Sequence, residues 1–252
     1  MDVINKILVS LLFVFTSLAV SGPLDLFQKG NELYQQGAYE EALQHYHQIL
    51  EDGYESGALY FNMGNAYYKL DQLGKARLYY ERAAKFMEGD ESLTENINIL
   101  RMRLVDQIEP PPQFFLNVWW QFIINLFPLN ALIWIEVVLF WLVLILLSVR
   151  IYYRSRGKGK RLGVLYHTAL VIFFVITLIC IQKIYNLETA LHGVIMKPSV
   201  TLFAEPKQGG TEMFVLHEGT KVKIERQNQD WFEIRLEDGK TGWLEGDHLE
   251  II

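Results

Sequence analysis

Two apolar runs of nineteen residues, Ala131–Val149 and Gly163–Ile181, flank a short stretch, Arg150–Arg161, that holds six basic residues and no acidic one. A helix rises about 1.5 Å per residue, so either run reaches across a hydrocarbon core about 30 Å thick. Short basic loops stay on the cytoplasmic side of a membrane. The pair is therefore expected to form a transmembrane hairpin: helix 131–149, a cytoplasmic loop 150–162, and helix 163–181. Its open ends, Asn130 and Gln182, point outward. The loop charges add a surface attraction to an anionic leaflet of about 1 kcal/mol each, although a topology signal alone accounts for them.

The first residues agree independently with that orientation. Met1–Ser21 carries Lys6, then the apolar run Ile7–Val20, with the small residues Ala19 and Ser21 placed for cleavage before Gly22. Fourteen residues fall short of the roughly 20 needed to span. The reading is a signal peptide over 1–21, with an uncleaved anchor as the alternative. Either one exports the chain beyond Ser21, so both soluble domains are expected outside the cytoplasm.

Two ionisable residues lie within the runs, Glu136 and His167. Such residues are candidate functional sites. Glu136 is about 7–8 Å in from the outer end and His167 about 6 Å in from the cytoplasmic end. Their depths differ by roughly 15 Å, so they are read as near-interface residues reaching headgroups or water, with a proton relay as the alternative. Before the first run, Pro110–Pro112 is a stiff spacer. Phe114–Phe127 carries Trp119 and Trp120 and reads as a helix lying along the outer surface. The spacer and this helix occupy 109–128, with Pro128 marking the junction.

The segment between signal and spacer repeats itself. At an offset of 34 residues, Phe27, Gly30, Asn31, Tyr34, Ala42 and Tyr46 recur as Phe61, Gly64, Asn65, Tyr68, Ala76 and Tyr80. Each unit reads as two helices, Ala58–Leu70 and Leu73–Phe86 in the second, with Asp71-Gln72 as the turn. Glycine and alanine at the recurring positions allow close helix approach, and the tyrosines fill the space. One unit cannot bury its apolar face alone, so units must stack. Leu93, Ile97, Leu100 and Leu104 form one stripe, which extends the array as a capping helix over 90–108.

The stretch Tyr60–Leu70 followed by Gly74–Ala83 resembles the tetratricopeptide repeat, with units at about 23–56 and 57–90 in an array over 22–108. It departs from that family at Tyr54 and Glu88, where proline is frequent, and at Lys29, where a large apolar residue is usual. The resemblance implies a concave groove, lined by the first helix of each unit, that binds peptides. The matching residues are Phe27, Asn31, Tyr34, Phe61, Asn62, Asn65 and Tyr68. An asparagine amide offers an extended backbone both donor and acceptor. Phe27 stands where the family's basic carboxylate clamp uses lysine.

Over 193–252 the pattern changes to short alternating runs. Val222 and Ile224 share a face, as do Phe232, Ile234 and Leu236, and Asp238-Gly239 is a hairpin signal. About five strands in sixty residues make a small barrel. Phe214–Val222, Asp230-Trp231 and Gly239–Leu244 resemble the bacterial SH3 domain. That resemblance implies recognition of cell-wall peptides or proteins through an aromatic surface, here Trp231 and Trp243, unless both cover the barrel core.

The fold class expected is thus multidomain α plus β: a helical array, a two-helix hairpin and an SH3-like barrel. The residues carry no nucleophile constellation, phosphate loop or metal-ligand spacing, so neither catalysis, nor a cofactor, nor a metal is expected. His45 and His47, two apart on a helix, face different ways. His217 and His248 are read as isolated. A net charge of −6 with one short basic cluster gives no case for nucleic acid, and a single Cys180 excludes an intramolecular disulfide.

The order of parts resembles the BatE-like membrane proteins of the aerotolerance (Bat) operon family, over the whole chain. The resemblance implies a multi-pass protein of the bacterial cytoplasmic (inner) membrane with both soluble domains on the periplasmic side. It implies partners among Bat-type membrane proteins bearing von Willebrand A domains, beside a MoxR-type ATPase, and a role in aerotolerance, oxidative stress or envelope maintenance. Three functions stay open: an interaction scaffold, a peptidoglycan-binding module acting through the SH3-like domain, and a transporter subunit using Glu136 and His167.

Overall fold

The computed structural model describes residues 22–112, 114–154, 160–189 and 191–252. The expected signal peptide, 1–21, and the centre of the basic loop, 155–159, lie outside these residues.

Five helices form the N-terminal array: α1 (Pro23–Gln35), α2 (Tyr39–Glu51), α3 (Gly57–Lys69), α4 (Leu73–Phe86) and α5 (Glu91–Arg101). The repeat reaches into the caps. Ser56 Oγ accepts from Leu59 N at 3.1 Å, and Asp90 Oδ1 accepts from Leu93 N at 2.8 Å. Each satisfies an amide that a helix start leaves without a partner. The turn after α1 needs a left-handed residue and uses Gly37 at φ 81°. The equivalent turn after α3 uses Asp71 at φ 60°, a side chain that tolerates this region.

Packing follows from the recurring small residues. A β-carbon at Gly30 would stand 2.8 Å from Tyr46 Cδ1, and one at Gly64 would stand 2.6 Å from Tyr80 Cε1. Only glycine lets these buried rings lie flat on the preceding helix. Helix α5 is shorter than the 90–108 expected, because the chain leaves the helix after Arg101. Leu104 stays buried all the same. It seats where a β-carbon on Gly219 of the C-terminal domain would collide with it, so the end of the stripe serves a distant partner.

Helix α6 (Phe115–Asn125) comes after the prolines. Asn117, Gln121 and Asn125 form a narrow polar stripe at i, i+4, i+8. Phe115, Leu116, Trp119, Trp120, Phe122 and Ile123 are exposed, while Ile124 is buried. Helices α7 (Leu129–Arg154) and α8 (Lys160–Thr189) then pack antiparallel. Within them Leu129–Tyr153 and Leu162–Asn186 are long and apolar enough to cross a membrane, by length and composition. Both helices outrun the nineteen-residue estimates. At α8 the reason is visible: the helix carries Lys183 to a partner in the array.

Seven strands complete the fold: β1 (His192–Ile195), β2 (Ser199–Phe203), β3 (Glu212–His217), β4 (Lys221–Asn228), β5 (Trp231–Arg235), β6 (Thr241–Glu245) and β7 (Leu249–Ile251). They form one antiparallel sheet in the order β3-β2-β6-β5-β4-β1-β7. The sheet has two strands more than the five or so expected; β1 and β7, which pair with each other, are too short to show alternation. Val200, Leu202, Leu216, Val222, Ile224, Ile234, Leu236 and Leu244 fill the core. The Asp238-Gly239 turn closes the β5–β6 hairpin with Gly239 at φ 91° and Leu236 N donating to Lys240 O at 2.9 Å.

Candidate interaction surfaces

The seven predicted groove residues all lie on α1 and α3 and all are half-buried. The three asparagines among them, Asn31, Asn62 and Asn65, are hydrogen-bonded within the fold. Asn31 Oδ1 accepts from Tyr46 OH and from Asn62 Nδ2, both at 2.8 Å. Asn65 Oδ1 accepts from Tyr80 OH at 2.7 Å and from Asn96 Nδ2 at 2.9 Å. The two sets are related residue by residue by the offset of 34. Asn31 and Asn65 therefore join helices through their amide oxygens. Burial pushes the Tyr46 hydroxyl up to about 12, so it stays protonated and able to donate.

The aromatic residues keep more of the groove character. Phe27 leans on Tyr46 and Phe61 on Tyr80, with ring centroids 6.0 and 6.1 Å apart. Tyr34 meets Tyr39 edge-on, and Tyr68 lies beneath the Arg103 guanidinium at 4.8 Å. Sequence reasoning missed Asn96 and Arg103. Extending the offset once more, from Asn62 to Asn96, would have found the first of them.

On the barrel, alternation sends Phe232 and Ile234 inward and Trp231 outward. Trp243 pairs across the ladder with Glu233, and Trp231 with Glu245, so both tryptophans share the outer face. Neither covers the core. Phe203 joins them: its ring stands 5.9 Å from Trp231 edge-on, and it pairs with Trp243.

The array and the barrel touch along one stripe of α4. Arg77 and Glu81 are almost fully buried there and pair at 2.7 Å, and Lys221 of β4 reaches Glu81 at 2.7 Å from the other side. Burial alone would raise the Glu81 carboxyl; Arg77 and Lys221 outweigh it and hold the group below the usual carboxylate range. The next residue, Arg82, meets Glu250 at 2.9 Å, and one turn on from Glu81, Lys85 donates to Ile252 O at 2.8 Å. Past α5, Asp106 accepts from the His217 amide at 2.6 Å, from His217 Nδ1 at 2.9 Å and from Thr220 Oγ1 at 2.6 Å. Burial opposes ionisation of Asp106, but these hydrogen bonds from Thr220 and His217 outweigh it and lower its pKa. Val194 of β1 completes the array's own apolar cluster. His217 is thus not isolated; its partner lies 111 residues away.

The helical pair is tied to the same element. Lys183, buried at its side chain, pairs with Glu88 just past α4 and donates to Phe127 O at 2.8 Å. Glu88 also accepts from Leu129 N at 2.9 Å, at the start of α7. Burial would raise Glu88; Lys183 and this amide more than compensate and hold it low.

Within the helical pair, Glu136 accepts from Thr177 Oγ1 of the neighbouring helix, while His167 Nδ1 lies 2.6 Å from Gly163 O on its own helix. The depth argument against a Glu136–His167 contact agrees with these separate partners. His47 Nε2 lies 2.7 Å from Tyr67 OH, a structural contact. Among the described residues, Glu245, Asp247 and His248 bring potential ligand atoms within 4.8 Å of one another. Two of them are otherwise engaged: Asp247 with Lys197 at 3.4 Å, and Glu245 with Gln208 at 2.6 Å.

Known families match two parts of this chain. Residues 57–90 match the tetratricopeptide repeat, and residues 198–250 match the bacterial SH3 domain. No curated protein matches it. The chain accordingly joins a helical region with a tetratricopeptide repeat to a C-terminal antiparallel bacterial SH3 domain, with two long apolar helices between them.

Proposed function

We propose that the protein is a non-enzymatic, membrane-anchored interaction scaffold that presents the repeat array and the SH3 domain on the outer face of a bacterial cytoplasmic membrane. The observation that carries this reading is the tie of all three parts to α4. Arg77, Glu81 and Lys221 fix the barrel to it, and Glu88 and Lys183 fix the helical pair at its end. A rigid platform close to the bilayer suits the assembly of other membrane proteins. Within it, the resemblance to BatE-like proteins suggests Bat-type partners bearing von Willebrand A domains, in a complex serving aerotolerance, stress response or envelope maintenance. The basic loop supports the orientation, and the exposed apolar residues of α6 support contact with the membrane surface.

The outward aromatic face of Phe203, Trp231 and Trp243 favours a second reading, in which the SH3 domain holds peptidoglycan peptides. Crosslinking and capture of the full chain from native membranes separates the two, using Tyr34→Ala with Tyr68→Ala as one variant and Trp231→Ala with Trp243→Ala as another. The scaffold reading expects membrane-protein partners that vanish in the groove variant. Partners unchanged in both variants would sink it. Loss of binding to wall sacculi in the tryptophan variant alone would favour the second reading.

A further inference from the structure

A cavity of about 640 Å³ lies between the end of α4 and the first turn of α7. Its apolar wall comes from Phe86 and Met87 on one side and Leu129 and Ile133 on the other, with Phe86 and Ile133 about half exposed. Its polar rim holds Lys85, Asn130 and Asp90, together with Glu88.

The geometry points to a bound phospholipid in this cavity, its acyl chain against Phe86, Met87 and Ile133 and its phosphate at Lys85 and Asn130. This rests on the membrane reading. One wall is the start of a helix that is long and apolar enough to cross a membrane, and what surrounds such a helix at its end is the boundary between headgroups and acyl chains. Helix α6, with Trp119 and Trp120 exposed, immediately precedes that turn and suits the same level.

The rim chemistry fits a headgroup. Lys85 spends one donor on Ile252 O at 2.8 Å and has two more. Asn130 Oδ1 accepts from Ala131 N at 2.7 Å, which leaves its amide nitrogen to donate. The Glu88 charge is met by Lys183, so it does not repel a phosphate. Asp90 caps α5 through one carboxylate oxygen and leaves the other at the rim. A cation and an anion around one apolar cleft match a zwitterionic headgroup, such as phosphatidylethanolamine, better than an anionic one.

Native mass spectrometry of the full chain released from micelles tests this, with phosphatidylethanolamine or phosphatidylglycerol added. The expected result is a single retained phospholipid, with phosphatidylethanolamine preferred. Ile133→Trp fills the cleft and displaces two or three methylene contacts, which lowers occupancy by about ten- to a hundred-fold. Lys85→Ala lowers it as well. Ile145→Trp, on an exposed stretch of the same helix, leaves it unchanged, and free glycerol phosphate does not compete. Equal loss in the two tryptophan variants, or no retained lipid, would overturn the proposal while leaving the membrane reading intact. Release of the protein from vesicles by alkaline carbonate would overturn both.

Discussion

Replacing Asn65 with alanine removes one oxygen and strands two donors. Tyr80 OH is buried in a side chain only 2% exposed, and it gives its proton to that oxygen at 2.7 Å. Asn96 Nδ2 gives a second hydrogen bond at 2.9 Å from a half-buried position where water can replace the acceptor. Each lost hydrogen bond is worth about 1 kcal/mol, and a buried hydroxyl left without a partner costs about 1–3 kcal/mol. Asn65→Ala should therefore destabilise the array by about 2–4 kcal/mol. Tyr80→Phe removes only the donor, and Asn65 keeps Asn96, so the cost is about 1 kcal/mol. In the double variant the stranded hydroxyl is gone, and the total should fall below the sum of the singles by about 1 kcal/mol or more. Hydrogen exchange of the full chain in micelles, read on amides within residues 57–101, gives the opening free energy of each variant. A cost for Asn65→Ala no larger than that of Tyr80→Phe, or strict additivity, would refute the reasoning. It would return Asn65 to the role of a free groove residue.

Other variants probe other joints. Gly64→Ala should cost about 1–3 kcal/mol, because the new carbon lands on the buried Tyr80 ring; a thermal melt of the array reads it, and an unchanged midpoint would contradict the packing. Glu81→Ala leaves Arg77 and Lys221 facing a buried gap and should weaken barrel docking by about 3–5 kcal/mol at most, less for the partial exposure of Lys221, seen as faster exchange in β1 and β4. Low pH should act on the same joint. Glu81 and Asp106 are both depressed in the folded state, so their stabilisation is present above their unfolded values, about 4.3 and 3.9, and is lost as pH falls through the folded ones. Small-angle scattering should show the barrel docked above about pH 5 and separating only once the pH has fallen below both unfolded values. Lys183→Met should free Glu88 and raise exchange at the start of α7 while leaving the barrel's protection unchanged.

The sequence read differently at different distances. The helix pairs were legible because their signals are local: an offset of 34, glycines facing tyrosines, an apolar stripe. In the barrel, β4, β5 and β6 were legible from alternation and Asp238-Gly239, while β1 and β7 are too short to carry a period. The joints were not legible. Arg77 and Glu81, four apart on a helix, read like any solvated ion pair, and only Lys221, 140 residues from Glu81, makes them interior. Asp106 reads as a linker residue until His217 and Thr220 close on it. Asn31 and Asn65 are ambiguous for a different reason. Their residue type suits peptide binding and suits bracing equally, and a sequence does not say which way an amide points. Trp231 and Trp243 were open between core and surface, and strand register decides for the surface.

The path of the chain gives the buried joint between array and barrel a further meaning. After Ile108 the chain departs through α6, α7 and α8 and returns only at His192. If the helical pair spans a membrane, the two halves meet only when both helices have inserted and the second half has come back to the side of the first. A chain threaded the wrong way leaves Leu104 and Val194 without cover, and leaves Arg77 and Glu81 without Lys221. Such a molecule exposes sticky apolar surface and an unclosed charge pair to surveillance proteases. Docking then doubles as an inspection of topology, and correctly inserted molecules pass it by folding.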